Sequence, residues 1–373
     1  MKVMHWGILG TGSIAHAFAQ GLSRVADAQL VAVGSRSAEN TETFGKKYNI
    51  PNRHASYSAL AADPQVDIIY IATPHNLHYE NTMLCLAAGK HVLCEKPLAV
   101  NAAQAREMFR FAQQKGLFLM EALWTRFLPV TQQAIQIAQN GSLGDIRLFQ
   151  ADFGFRSAWK PEKRLLNPDL AGGALLDVGI YPLFWTCLLM GEPLEVQGFA
   201  DIGKSGVDES SIAIFRFAEG RLGMLASSVR TTYPTHATLY GTRGRLHINA
   251  PIYRPDGLKW VKTKDPDAGL VGGKLSQDKA KSFLRTQPWA VWLYTKFWSR
   301  LRAMAEGENA QTIPSGLQGN GYQYEAIEAG QCLQAGLLES PLMPASRTLL
   351  QMDIMDELRH QWGLVYPSHV EKV

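Results

Sequence analysis

Cysteine is scarce in this chain: Cys85, Cys94, Cys187 and Cys332 are the only four in 373 residues, with no C-x-x-C pair. A disulfide scaffold or structural zinc site is disfavoured, which suits a reducing compartment. Charge is also sparse. Charged residues are 19% of the chain and the net charge is +4, too mild to imply nucleic acid. No uninterrupted apolar run reaches the roughly 18 residues that span a bilayer. An apolar strand begins almost at Met1, leaving no room for a secretory leader. The expectation is a soluble, cytoplasmic protein without a membrane span.

Apolar residues are plentiful, at 46% of the sequence, so a large core is within reach and the length accommodates two domains. The first third alternates strand and helix. Strands are expected at Met4–Leu9, Leu30–Val33, Asp67–Ala72, His91–Cys94 and Leu117–Met120. Helices are expected from Ser13 to about Val25, over Asn76–Ala88 with Gly89 as C-cap, and from the cap Asn101 to about Lys115. Such alternation implies a parallel sheet covered on both faces.

Gly10-Thr11-Gly12-Ser13-Ile14-Ala15 follows the first strand and opens the first helix. Gly10 permits a tight turn, Gly12 lets backbone approach a pyrophosphate, and Ala15 allows close helix packing. The helix N-terminus offers free N–H groups to phosphate. The second strand ends in Gly34-Ser35-Arg36-Ser37, with no carboxylate for ribose hydroxyls. A guanidinium and two hydroxyls match a 2′-phosphate, so NADP is expected ahead of NAD. The alternative is a solvated loop arginine.

From about Trp124 the pattern changes. Candidate strands at Ile146–Phe155, Leu194–Ala200, Ser211–Phe217, Arg221–Ser228, Ala237–Tyr240 and Leu246–Asn249 are separated by glycine-containing turns. They read as a meander, interrupted by one helix over Gly173–Met190 and closed by helices near Tyr322–Leu338 and Arg347–Trp362. The expected fold is α/β: an N-terminal Rossmann domain over 1–123, then an α+β substrate and dimerisation domain over 124–373 with a large, open, mostly antiparallel sheet.

Gly10-x-Gly12, Glu95-Lys96-Pro97 and Asp177-x-Gly179-x-Tyr181 together resemble the glucose–fructose oxidoreductase / inositol dehydrogenase (Gfo/Idh/MocA) family. Leu93–Pro97, Met120–Phe127 and Gly172–Tyr181 are similar to its subgroup of dimeric dihydrodiol and NADP-dependent D-xylose dehydrogenases. The resemblance implies an NADP-dependent oxidoreductase acting on a hydroxyl or carbonyl carbon of a sugar or cyclic diol. It implies that Lys96 and Glu95 lie at the cofactor, that Tyr181 exchanges the proton, and that Asp177 orients the substrate hydroxyl or the lysine. It also implies a homodimer formed through the second sheet. An ammonium beside Tyr181 is expected to lower the phenol's pKa from near 10 toward the working pH.

Thr73 and His75 follow another strand end and are expected at the cofactor's ribose or nicotinamide. His75 and His78 have no third partner in suitable spacing, so no metal is expected. Trp124 and Phe153 are expected to wall the substrate site. Two alternatives stay open: a non-catalytic NADP-binding regulator or scaffold, and a reductase of an anhydro-sugar ketone.

Residues 251–321 form an atypical, basic and Trp-rich insertion. Between Arg254 and Arg302 eleven Lys/Arg face four Asp/Glu. Helical spacing over Pro288–Trp298 puts Trp289, Trp292, Leu293 and Phe297 on one face. Three readings compete: a segment packed on the protein's own sheet or a dimer partner, a lid, or a basic helix on an anionic membrane.

Overall fold

The fold comes from a computed structural model, which describes residues 3–263 and 310–373. The Pro288–Trp298 helix expected from the sequence lies outside the described residues.

The first sheet contains β1 (Met4–Leu9), β2 (Ala28–Gly34), β3 (Asn52–His54), β4 (Ile68–Ile71), β5 (His91–Glu95) and β6 (Leu119–Ala122), in the order 3-2-1-4-5-6. Every pairing is parallel. The strand order reverses between β1 and β4, and the crevice at that switch point is where such sheets bind ligands. Helices α1 (Ser13–Leu22), α2 (Ala38–Lys47), α3 (Tyr57–Ala61), α4 (His78–Ala87) and α5 (Ala102–Lys115) make the crossovers. Trp6, Phe18 and Tyr70 are fully buried between sheet and helix, each contributing about 1.5–3 kcal/mol.

Local chemistry sets the helix ends. Ser37 Oγ accepts from Asn40 N at the start of α2, and Asn101 Oδ1 accepts from Gln104 N at the start of α5. Gly116, at φ +64°, ends α5 in the left-handed conformation. Leu117 N then bonds back to Ala112 O. The helix cap therefore holds Leu117, and the strand expected at Leu117–Met120 begins two residues later.

The second sheet contains β7 (Ile146–Gly154), β8 (Glu195–Ile202), β9 (Asp208–Arg216), β10 (Leu222–Ser228), β11 (Ala237–Gly241), β12 (Gly244–Ile248), β13 (Gly257–Lys262) and β14 (Ala310–Pro314). Their order is 14-13-12-11-7-10-9-8. The expected meander is present in two pieces, because β7 lies between β11 and β10 and pairs with β10 in parallel. Strands β13 and β14 lie at the two ends of the 251–321 stretch and pair with each other antiparallel.

Helix α6 (Pro129–Gln139) follows the first sheet, and α7 (Ile180–Met190) packs on β7 and β10. Helices α8 (Gln323–Gln334) and α9 (Ala345–Trp362) close the chain. A single helix over Gly173–Met190 was expected; the structure has a π-helical turn at Leu175–Gly179 ahead of α7. Gly173, at φ +119°, is outside helical space. Pro182 has no N–H to give to a carbonyl one turn back. The stretch Pro168–Met190 is long and apolar enough on average to cross a membrane, unlike any uninterrupted run, and 89% of its apolar window is buried inside the protein. All four cysteines are buried and free.

Candidate active site

At the carboxyl end of β1, Gly10 has φ +105°, and a Cβ there would come within 2.8 Å of the Ala72 carbonyl oxygen. Gly12 precedes α1 with no side-chain cap and no acidic residue in the first turn. A Cβ on Gly12 would meet nothing within 4 Å. Open space in front of uncapped helix N–H groups fits a pyrophosphate. Gly10, Thr11, Gly12, Ser35, Arg36, Ser37, Thr73 and Pro74 line a cleft of about 550 Å³, together with Asn40, Tyr57 and Ala72. Ser13 and Ile14 follow in the first turn of α1. The residues present therefore fit a dinucleotide.

Lys96 follows β5 and reaches the π-helical turn of the other sheet's domain. Its Nζ donates to the Asp177 backbone carbonyl at 2.6 Å and lies 3.6 Å from Asp177 Oδ1. Asp177 and Pro182 are five residues apart, the span of a π-turn. Pro182 cannot donate to the Asp177 carbonyl, and Lys96 bonds to it from outside the helix. The Lys96 Nζ also sits 4.9 Å from the centre of the Tyr181 ring. Tyr181 Oη accepts from Trp124 Nε1 at 3.3 Å. The structure thus brings Lys96, Asp177 and Tyr181 together, with Asp177 and Tyr181 buried and the Lys96 side chain 13% exposed.

His75 belongs to the same cluster rather than to the phosphate cleft. Its Nε2 is 3.2 Å from an Arg164 guanidinium nitrogen and 3.9 Å from Asp177 Oδ1, and its Nδ1 is 3.3 Å from Ala171 O. A neutral ring protonated on Nδ1 satisfies both hydrogen bonds. Burial, with Arg164 beside it, holds its pKa well below the usual histidine value. Thr73 lines the cleft, and its Oγ1 accepts from Asn81 Nδ2. His78 is wedged between the Pro97 and Thr73 carbonyls. Among the described residues, no group of three His, Cys, Asp or Glu is placed to hold a metal ion.

Burial pushes the Asp177 carboxyl up, but Lys96 and Arg164 outweigh it and hold it well below the usual range. Burial lowers the Lys96 pKa, and Asp177 only partly restores it. Tyr181 departs from the sequence expectation. Burial raises its pKa well above 10 and Glu95 raises it further. The ammonium that could lower it is already engaged by Asp177. Glu95, at the end of β5, accepts from Tyr70 Oη and from Lys96 N.

Arg164 donates to Asp177 Oδ1 at 2.6 Å. Its position in an irregular loop left it without a sequence signal. Trp124 stacks on Tyr322 with ring centres 4.4 Å apart, and Phe153 stacks on Tyr253 at 5.2 Å. Phe153 and Tyr253 both lie within 6 Å of the Tyr181 ring centre. Trp124 and Phe153 were expected here. Tyr253 and Tyr322 sit at the edges of the 251–321 stretch and at the start of α8, and only the fold brings them in.

Residues 4–123 match the family described as "Oxidoreductase family, NAD-binding Rossmann fold", and residues 131–247 match the GFO/IDH/MocA C-terminal domain. The chain is 34% identical over 366 residues to trans-1,2-dihydrobenzene-1,2-diol dehydrogenase of Xenopus tropicalis, covering 97% of this chain and 99% of that protein. It belongs to the Gfo/Idh/MocA family of oxidoreductases. Solved structures of the same fold include the 3-ketoreductase KijD10 from Actinomadura kijaniata in complex with NADP and TDP-benzene. That protein is 23% identical, with TM-score 0.77, over 97% of this chain and 98% of its own. Another is the aldose-aldose oxidoreductase of Caulobacter crescentus complexed with glycerol, 22% identical with TM-score 0.78, over 96% of this chain and 97% of its own. Family membership makes this chain an NAD(P)-binding oxidoreductase.

Proposed function

We propose that this oxidoreductase uses NADP(H) and acts on a hydroxyl or carbonyl carbon of a sugar or cyclic diol, of the D-xylose or trans-dihydrodiol type. One observation carries this reading: Lys96, Asp177, Tyr181 and His75 form one buried cluster, beside stacked aromatic rings, at the carboxyl ends of the parallel strands. A cofactor-binding scaffold needs no such cluster. Aromatic faces accept the apolar face of a sugar ring or a dihydrodiol. Residues 1–123 carry the dinucleotide in this reading, and 124–373 the substrate and the subunit contact.

The nicotinamide, when bound, supplies or accepts the hydride. Lys96 handles the proton. Burial lowers its pKa, while burial raises that of the Tyr181 phenol. The Lys96 ammonium gives its proton to the substrate oxygen in reduction, and the amine takes it back in oxidation. Tyr181 Oη donates a hydrogen bond to that oxygen, and Asp177 holds the ammonium in place. The test is reduction of NADP⁺ or NAD⁺ against D-xylose, D-glucose, myo-inositol and a trans-dihydrodiol. Turnover of one of them with NADP⁺ is expected. Absence of both turnover and NADPH binding overturns the reading.

The preference for NADP rests on the cleft wall after β2. Ser35 Oγ accepts from Ser37 N, and Ser37 Oγ accepts from Asn40 N, so both hydroxyl protons remain to donate toward a 2′-phosphate. Arg36 is exposed beside them. KijD10, of the same fold, was crystallised with NADP. A hydrogen bond to a charged group contributes about 1.5–3 kcal/mol, so Arg36→Ala is expected to weaken NADPH binding roughly 10–100-fold. NADH binding should stay within about threefold. Fluorescence titration with both cofactors decides the matter, and equal losses for the two would remove the 2′-phosphate from the argument.

Dimerisation is supported by the outer face of the second sheet. Phe199 (76% exposed), Ile212, Ile214, Leu222 and Met224 project from β8, β9 and β10. In register, Phe199 lies opposite Ile212, and Ile214 opposite Met224. A continuous apolar sheet face of this kind marks an association surface. A dimer at micromolar concentration in sedimentation equilibrium is expected, with Ile214→Asp shifting it to monomer. A monomeric wild type would refute it.

A further inference from the structure

The turn that carries Asp177 is gripped from behind by two residues distant in sequence. Asp208, the first residue of β9, is fully buried. Its Oδ2 accepts from Leu175 N at 2.7 Å. Its Oδ1 is buried with no hydrogen-bond partner, and an orphan of that kind in a core calls for a reason. A Cβ on Gly173 would come within 2.1 Å of the same Oδ1. Tyr366, in the C-terminal segment, donates from its Oη to the Gly172 carbonyl at 2.5 Å. Arg359 of α9 stacks 5.0 Å above the Tyr366 ring and is bound by Asp356 and Glu371. Asp208 and Tyr366 thus hold the Gly172-Gly173 entrance on one side. A few residues onward, the turn presents Asp177 to the site and leads into α7, which carries Tyr181 and Pro182.

We propose that Asp208, seconded by Tyr366, is a positioning residue of the oxidoreduction: it fixes the π-helical turn so that the backbone and side-chain oxygens of Asp177 meet Lys96. This rests on the function proposed above only for its turnover arm. Lys96 bonds to the turn's backbone, so a shift of the turn moves the ammonium as well as the carboxylate. A displacement near 1 Å between reacting groups costs about 10²-fold in rate. The free space at Gly173 is what lets a carboxylate approach the chain so closely. The carboxylate is needed because Leu175 N, at the start of the turn, has no other partner of this strength. Burial raises the Asp208 pKa to about 7, against the pull of the Leu175 amide and of Arg359. Keeping a carboxyl at that cost is consistent with a specific task.

The test uses the full-length protein and two readouts. The first is competitive amine labelling with peptide mass spectrometry, which reports the Lys96 environment without any substrate. Asp208→Asn is expected to raise Lys96 labelling at least threefold at pH 8, leaving unchanged that of Lys90, whose Nζ bonds to Asp63 O and Val66 O. Gly173→Ala should do the same, because its Cβ strikes the same contact, and the double variant should be no worse than the worse single one. The second readout is steady-state kinetics on whichever substrate the wild type turns over: kcat lowered roughly ten- to hundredfold, with NADPH affinity unchanged. Tyr366→Phe removes one hydroxyl and decides the matter if Asp208→Asn fails to fold, with a smaller loss in the same direction. Folded variants with wild-type Lys96 labelling overturn the proposal. A wild type without turnover defeats the functional reading and leaves the labelling result standing.

Discussion

Replacing Lys96 by methionine is expected to lower kcat by about 10²–10⁴-fold, the range lost with an acid/base group, while NADPH binding changes by no more than about threefold. Methionine is unbranched, one heavy atom shorter than lysine, and fills most of its volume. It removes the proton and the donor to the Asp177 carbonyl. The dinucleotide cleft is built from the ends of β1, β2 and β4 and does not depend on the ammonium. Loss should therefore fall on kcat. Tyr181→Phe is the informative comparison. If the lysine handles the proton and the phenol only holds the substrate oxygen, the phenylalanine variant keeps more activity and a pH–rate limb set by Lys96. A Tyr181→Phe loss as deep as that of Lys96→Met would return the proton to the tyrosine. Stopped-flow absorbance of the reduced cofactor, from pH 6 to 10, separates the two.

Asp177→Asn carries the second large effect, on turnover and on stability together. Asp177 is the one carboxylate in contact with Lys96, Arg164 and His75 among the described residues. The asparagine leaves Lys96, which is 13% exposed, without its counter-charge in a desolvated place. Breaking one side of a buried pair costs about 3–5 kcal/mol; Arg164 is 40% exposed, so the lower end is expected here. Urea denaturation at pH 7 should show a loss of about 3 kcal/mol, and kcat should fall at least 100-fold because the ammonium is no longer aimed. The pH dependence has a definite sign. The folded-state pKa of Asp177 lies below its unfolded value, so its contribution is full above the ordinary carboxylate range and disappears as pH falls through the folded value. Wild type should lose stability on acidification more steeply than Asp177→Asn. Equal slopes would mean that the pair contributes little.

The nucleotide half was legible because its rules are local. A strand, a glycine turn and a helix in succession leave few alternatives, and Gly10 and Gly12 occupy the places their backbone demands. Lys96, Asp177 and Tyr181 were legible from motif resemblance, and the fold brings them within contact. Arg164 was not, because an irregular loop has no period to read. Tyr253 and Tyr322 were not, because ring stacking between residues so far apart leaves no trace in spacing. The expectation for the tyrosine's pKa weighed one nearby ammonium; desolvation of the enclosed phenol acts in the opposite direction and is the larger cause. The place of β7 inside the second sheet was invisible for a related reason, since alternation shows that a strand has two faces but not which neighbours it takes.

The return of the chain to its beginning has a consequence for how this architecture is exchanged between proteins. Thr348 bonds Glu121, Asp356 accepts from Ala102 N, Gln104 bonds the Val370 and Lys372 carbonyls, and Asn320 bonds Ala17 O. Residues 320–373 thus lie against the first sheet's domain and, through α9 on β8, against the second sheet as well. A transplant of the nucleotide half that stops where the first sheet ends would carry its interior and leave its cladding behind. The nucleotide half is therefore discontinuous in sequence, and exchanging the second sheet alone would cut the packing of α9 on β8 and the Tyr366–Gly172 bond along with the substrate pocket.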